Sequence, residues 1–311
     1  MAALSGGDAP TPPAGRLSDS FVRCSKGGTS MTSQMDEIRD QQRDTWDRFS
    51  GGWSKWDGLV LGWLAPFGDA VLAASDLRPD AHVLDIASGT GEPGLTAAAR
   101  VPQGKVTLSD LSEGMLAVAR ANAARRGLRN IDTRVCDAGA RPFGDASFDA
   151  VTCRFGYMFF PDIALAAREM ARVARPGARA VTSVWAAPDR NPWATTIMGT
   201  IARHVELPPS PPGAPGLFRC AQPGLMRDAF VAAGLRDVVE QDVEIEMVHA
   251  SPEQYWDFMT DFAAPVVAGL ARADPSTRTA IRHTVLGLAR DAARDGTVRL
   301  SSVATVIAGT R

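Results

Sequence analysis

The densest chemical content of this chain lies in one short run, Val83-Leu84-Asp85-Ile86-Ala87-Ser88-Gly89-Thr90-Gly91-Glu92-Pro93-Gly94. Gly89, Gly91 and Gly94 follow an apolar stretch and precede an Ala-rich one. Glycines so spaced let a backbone turn tightly and approach a nucleotide with no Cβ in the way. Asp110 follows at the separation expected of an acid that binds ribose hydroxyls. Taken alone, this pattern suits a nicotinamide dinucleotide as well as S-adenosylmethionine.

Three features favour S-adenosylmethionine. Asp85 ends its strand four residues before Gly89, where a carboxylate would repel a pyrophosphate but attract an ammonium, directly or through water. Asp137 ends another strand and can accept from an adenine amine while the amide of Ala138 donates to the ring. The apparatus of hydride transfer is missing: neither Tyr157 nor Tyr255 has a lysine four residues on, and Lys26, Lys55 and Lys105 are the only lysines. One aspartate at a strand end commonly caps a turn; three at the ends of successive strands mark a nucleoside-binding crevice.

These residues need a sheet to carry them. Residues 81–87, 105–110, 131–137, 148–154 and 178–185 read as short apolar strands, separated by helices. One helix is capped by Ser112 and carries Met115, Leu116 and Ala119; another spans 162–175 and stops at Pro176-Gly177. This alternation predicts a parallel sheet covered on both faces, with Asp85, Asp110 and Asp137 on its carboxyl edge, where open sheets bind ligands. Upstream, order is expected from Met35, with Ile38, Trp46 and Phe49 at helical intervals. A second helix, with Ser54 and Asp57 spaced as a capping box, carries Trp56, Leu59, Val60, Trp63, Leu64 and Phe67, and Pro66 is expected to kink or break it. Downstream, 191–204 and 223–234 read as helices, 238–248 as a half-exposed strand, 252–294 as helical and 297–309 as strand.

The expected fold is α/β: a Rossmann-like, mostly parallel seven-stranded sheet with an antiparallel terminal pair, N-terminal helices and a helical insertion between the last two strands. Residues 1–34 are expected to form a disordered tail. Residues 35–311 form one domain, with a helical cap over 35–79, a cofactor-binding core over 80–187 and acceptor-side elements and closing strands over 188–311.

Composition narrows the function classes. With 45% hydrophobic and 22% charged residues, the 311-residue chain has ordinary globular composition and can bury a large core. The formal net charge is −2 and the arginines are scattered, so the clustered basic face of a nucleic-acid binder is not expected. Cys24, Cys136, Cys153 and Cys220 lie far apart without metal-ligand spacing, so neither a metal site nor a disulfide framework is expected. No run approaches a membrane span, and residues 1–30 lack a secretory apolar stretch; the expected compartment is the cytoplasm.

The chain resembles the class I S-adenosylmethionine-dependent methyltransferases, most of all the branch related to ubiquinone and menaquinone biosynthesis. VLDIASGTGEPGL matches the first motif of that family, VTLSDLSEGML its ribose-binding strand and turn, and CDAGARPFGDASFDAVTCRFGYMFFPD its adenine acid and fourth strand. ARVARPGARAVTSVW fits its helix, glycine turn and fifth strand. The resemblance is strong over residues 80–187 and implies cofactor contacts at Asp85, Ala87, Gly89, Gly91, Asp110, Leu111, Met115, Asp137, Ala138 and Arg154. Ser88, where many relatives carry Cys or another small residue, is a conservative departure; the acceptor region matches no quinone-specific signature.

Methyl transfer from a sulfonium rests mainly on alignment, and a base is needed only for an acceptor still protonated at working pH. In this fold the segment after strand four opens over the methyl group, which makes Tyr157 and Met158 acceptor contacts. Trp53 and Trp56 are placed to close over the cofactor, favouring a sulfonium through their ring faces, whereas Trp63, Phe159 and Phe160 are expected only to pack helix on sheet. Arg190 and Asn191 follow strand five at the same edge and are further acceptor contacts. His249, ending the strand that leads into the last helical segment, and Tyr157 are the candidate bases; His82 opens strand one and is structural. Segment 252–294 is expected to be a lid or the surface of a homodimer. The acceptor expected is a small apolar or aromatic metabolite; the alternatives are a nicotinamide-dependent oxidoreductase and a non-catalytic S-adenosylmethionine-binding protein.

Overall fold

The computed structural model describes residues 31–208, 211 and 213–311, and the side chains of all of these except 31–34 and 49–54. Apolar runs form five strands: β1 (His82–Ile86), β2 (Lys105–Asp110), β3 (Ile131–Val135), β4 (Phe148–Arg154) and β5 (Ala174–Trp185). They pair in parallel in the order β3-β2-β1-β4-β5, with Val83 opposite Val106 and Leu84 opposite Val151. Both neighbours of β1 are parallel to it but lie on opposite sides, so a crevice opens at their carboxyl ends.

Helices cover both faces. α3 (Gly94–Arg100) and α4 (Glu113–Arg125) bury Leu95, Leu116 and Ala119 against Val83, Val106 and Leu108. α5 (Ile163–Val173) packs against β5 and α7 (Leu225–Ala232). Ser112 and Asp162 cap their helices by accepting the amides of Met115 and Leu165. The sheet is closed by β8 (Thr297–Thr310), antiparallel to β5, and by β6 (Arg236–His249), antiparallel to β8. β7 (Ala293–Arg294) is a two-residue strand paired with the start of β8 and makes the sheet eight-stranded among the described residues, one more than expected. The architecture is otherwise the expected Rossmann-like α/β sheet with antiparallel closing strands.

Several local expectations change. α1 (Met31–Lys55) begins at Met31 rather than Met35, and the tail expected over 1–34 lies, for residues 1–30, outside the described residues. α1 also runs through Ser54, so no capping box starts α2 (Asp57–Ala74); Trp56 occupies the cap with no side-chain bond. α2 continues through Pro66. Buried Trp63 and Leu64 before the proline and Phe67, Val71 and Leu72 after it hold both halves in one core, which outweighs the roughly 3 kcal/mol cost of the proline. α2 is also long and apolar enough to cross a membrane by length and composition, a run passed over in the sequence. Here Val71 packs on Val181, Val306 and Ala308 of the sheet. The helix expected over 162–175 ends at Val173, because Ala174 already enters β5 opposite Phe148. The last helical segment divides into α8 (Pro252–Phe262), α9 (Ala264–Leu270) and α10 (Pro275–Asp291), packed with α6 (Pro192–His204).

Candidate functional site

At the carboxyl edge, above β1, β2 and β4, lies a cavity of about 440 Å³. Its first half is built by the turns after the strands. The backbone of Ala87 leaves β1 in the left-handed region (φ +52), as does Gly89 (φ +54), and nothing stands where a Cβ of Gly89 would project. That open space is what a ligand needs to approach the main chain. The amide of Gly89 donates to one oxygen of Asp110 and that of Ser112 to the other, both at 2.9 Å. The glycine turn and the turn after β2 are thus held by one carboxylate. Burial pushes Asp110 up; the three amides of Ser112, Gly89 and Leu111 pull against it.

Asp137 accepts the amide of Gly139 at 2.8 Å and pairs with Arg39 of α1 at 2.5 Å. Asp47 of the same helix reaches the hydroxyl of Ser112 and the amide of Gly114. α1 therefore lies across the turns after β2 and β3. The cavity lining includes Ala87, Gly89, Asp110, Leu111, Met115, Asp137, Ala138 and Arg154 from the sequence-derived cofactor set. Ser88 adds a buried hydroxyl with no hydrogen-bond partner among the described residues. Arg154 donates to the carbonyl of Leu64 at 3.2 Å, beside the methylene of Gly68. Its charge is felt at Asp85, and burial lowers its own pKa.

Two members of that set stand behind the wall. Gly91 (φ +116) is needed for packing, because a Cβ there would lie 2.7 Å from Leu95 and 3.3 Å from Ala119. Asp85 is fully buried: Thr152 donates to one oxygen at 2.7 Å and the Gly94 amide to the other at 3.0 Å. Asp85 is absent from the lining, and each of its oxygens accepts one bond inside the fold, so a direct contact with an ammonium, one of the two expected routes, is not made by an exposed carboxylate. Gly94 is required here as well, as a Cβ would sit 2.2 Å from Leu108.

The other half of the cavity is aromatic and aliphatic. Phe155, also left-handed (φ +59), stacks on Trp185 at 4.2 Å between centroids, and Trp63 lies nearly parallel to Trp185 at 5.6 Å. Trp193 meets Trp63 edge-on at 4.7 Å, and Trp46 meets Phe159 edge-on at 5.1 Å. Met198, Leu217, Met259, Phe262 and Pro265 complete the wall. Trp63, Phe159 and Phe160, expected only to pack, all line the cavity.

Most of the acceptor contacts read from the sequence lie elsewhere. Tyr157 is fully buried on the far side of the turn, its hydroxyl donating to Met170 Sδ and its ring against Phe230; burial raises its pKa far above the ordinary phenol range. Met158 is fully buried and absent from the lining. His249 packs against Tyr255 and Phe258, away from the cavity, and burial lowers its pKa to about 4. Trp56 turns its indole N–H to Asp261 at 3.1 Å and does not reach the lining. Arg190 pairs with Asp242 at the surface. Asn191 is a buried junction: its amide donates to the carbonyls of Ala186, Ala187 and Val303, and its oxygen accepts from Val303 N and Trp193 Nε1. The side chain of Trp53 lies outside the described residues.

Sequence reasoning missed Arg39, Gln42, Thr45 and Trp46, which all reach the cavity from α1. Their spacing of three to four residues is a usable signal, and of the four only Trp46 belongs to the series Met35, Ile38, Trp46 and Phe49 at helical intervals. Trp185 and Trp193 were visible as aromatics at the end of β5 and the start of the next helix; Phe155 was hidden by its turn.

A family model described as a methyltransferase domain matches residues 83–177. Nocamycin O-methyltransferase from Saccharothrix syringae is 30% identical over 249 residues, covering 73% of this chain and 88% of that protein. Demethylmenaquinone methyltransferase from Thermus thermophilus is 38% identical over 160 residues, 51% of this chain and 60% of that protein. Among solved structures, the YcgJ protein from Bacillus subtilis gives a TM-score of 0.51 at 20% identity, over 78% of this chain and 97% of that one. Haemonchus contortus phosphoethanolamine N-methyltransferase 2, in complex with phosphomonomethylethanolamine and S-adenosylhomocysteine, gives 0.54 at 16% identity, over 89% and 60%. At those identities the structural likeness speaks for the fold.

Proposed function

Since the chain belongs to the class I S-adenosylmethionine-dependent methyltransferases, we propose that it methylates a small apolar or aromatic metabolite in the cavity at its sheet edge. The observation that carries this reading is the division of the cavity into a half lined by backbone amides and carboxylates and a half lined by aromatic rings. The first half fits the cofactor: open space over Gly89, a Ser88 hydroxyl without a partner among the described residues, and two carboxylates at successive turns.

In this reading Asp110 receives the ribose hydroxyls, on lone pairs left after the Gly89 and Ser112 amides. Asp137 and the amide of Ala138 hold the adenine edge, with Arg39 holding the Asp137 carboxylate in place. Arg154, without a carboxylate partner at hydrogen-bond distance among the described residues, takes the carboxylate of the methionine moiety. Bound there, the cofactor supplies a methyl group activated by a positively charged sulfur. The rings of Trp63, Trp185 and Phe155 hold a planar acceptor and exclude water, which strengthens charge interactions inside the site. The domain acts as one unit, the N-terminal helices and the 188–311 region covering the 80–187 core.

Calorimetric titration with S-adenosylhomocysteine, and with NADH in parallel, tests the reading. Micromolar binding of the first alone is expected. In Asp110→Ala the affinity should fall by about 1.5–3 kcal/mol, some tenfold to a hundredfold, as for hydrogen bonds to a charged group. Binding of NADH alone, or an unchanged affinity in the variant, overturns the assignment.

A further inference from the structure

The aromatic half of the cavity is as informative for the groups it lacks. Its walls come from α1, α2, α6, α8 and α9, from the ends of β4 and β5, and from residues 215–217. Among the described residues, none of these brings an imidazole, carboxylate, amine, thiol or phenol to the lining. The charged lining groups are Arg39, Glu92, Asp110, Asp137 and Arg154, all at the cofactor end. The carboxylates among them are engaged: Glu92 with Arg126 and the Thr96 amide, Asp110 with the Gly89 and Ser112 amides, Asp137 with Arg39 and the Gly139 amide. The Cys136 thiol lies at that same end, next to Asp137, and the Gln42 carboxamide of α1 is not a base. Three other polar groups of these walls are turned away. Trp63 donates to Ser302, Trp193 to Asn191, and the Thr45 hydroxyl to the carbonyl of Gln41. His249 and Tyr157, the two titratable candidates, sit behind other walls.

Without a base among the described lining residues, the compartment does not activate a neutral hydroxyl. We propose that the acceptor is an acidic enol or phenol that enters as its delocalised oxyanion, its proton already lost to solvent, and that none of the described lining residues acts as a general base. This rests on the methyltransferase reading above. A lone anion would be costly in such an apolar space. It is admitted only as the partner of the cationic sulfur, whose attraction is strong where water is excluded. The acceptor oxygen uses its lone pair to bond the methyl carbon, the carbon–sulfur pair stays on sulfur, and both charges disappear without any proton moving.

The test is made on the wild-type full chain with 4-nitrophenol, whose anion and neutral form differ in visible absorbance. The bound probe is titrated with pH in the presence of saturating S-adenosylmethionine, read as the initial spectrum, and separately with S-adenosylhomocysteine, whose sulfur is neutral. The bound phenol should ionise at a pH lower by about 1–3 units beside the cationic sulfur than beside the neutral one. Equal titration in the two complexes, uptake of the neutral form with S-adenosylmethionine, or no uptake in either complex overturns the proposal. Failure to bind S-adenosylhomocysteine at all, read by calorimetry, would instead remove the parent reading.

Discussion

Asp85 and His249 are two buried titratable groups whose surroundings give opposite pH dependences. Desolvation pushes Asp85 up to about 7, against the Thr152 hydroxyl, the Arg154 charge and the Gly94 amide. The folded chain therefore keeps a proton that the unfolded chain, at the ordinary value of 3.8, releases. The stability tied to this group is complete below about pH 4 and is lost as pH rises through about 7. Asp85→Asn keeps an acceptor for the Gly94 amide and has no proton to lose. Its thermal midpoint should fall less than that of the wild type between about pH 5 and 8; parallel curves would place the dependence on another group. For His249, burial lowers the pKa from 6.5 to about 4, with Gln254 pulling the other way, and neither ring nitrogen has a well-formed hydrogen bond. Here the stability is present above about pH 6.5 and is lost as pH falls towards 4. His249→Phe, among Tyr255 and Phe258, should lose less of its midpoint between about pH 7 and 5 than the wild type. Its affinity for S-adenosylhomocysteine should be unchanged; a weakened affinity would return His249 to the site.

Adjacent residues at the start of α6 show how an element is fastened. Arg190 makes a half-exposed ion pair with Asp242, of the kind that contributes about 0–1 kcal/mol. Asn191 joins the end of β5, the middle of β8 and the first turn of α6 through buried hydrogen bonds. Removing it leaves the Val303 amide and the carbonyls facing it without partners, at about 1–3 kcal/mol for each buried group left unsatisfied. In urea denaturation Asn191→Ala should lose about 3 kcal/mol, whereas Arg190→Ala should change by less than about 1 kcal/mol. Equal losses would mean that α6 is held by its apolar face alone. Both residues read identically in the sequence, as polar groups after a strand; burial alone separates the junction from the surface pair.

At the scale of the whole molecule, the cavity is assembled from parts far apart in the chain. Arg39 lies 98 positions before Asp137, and Trp63 meets Trp185 and Trp193 across the sheet edge. A ligand that spans these parts must stabilise them together. S-adenosylhomocysteine at about 100 times its dissociation constant should raise the unfolding free energy by about 2.7 kcal/mol. Hydrogen exchange should show the protection concentrated in α1 and the glycine turn and small in α7 and β6. A raised midpoint with α1 unprotected would show that the Arg39–Asp137 contact does not belong to the closed site.

The strands, their order of appearance and the aspartates at Asp110 and Asp137 were legible because local periodicity and glycine spacing constrain a chain directly. The glycine run declared the tight turn, since only residues without a Cβ satisfy it, and alternation of short apolar strands with helices permits little besides a covered parallel sheet. Which aromatic faces the acceptor was not legible. One left-handed residue, Phe155, sends its own ring into the cavity while Tyr157, two positions on, turns into the layer of α5 and α7. Nor did the sequence distinguish Asp85, sealed behind the wall by Thr152 and Gly94, from the acids that line it. Side-chain direction at an irregular turn, and the depth of a group below a surface, depend on what packs from distant elements, and only the tertiary structure decides them.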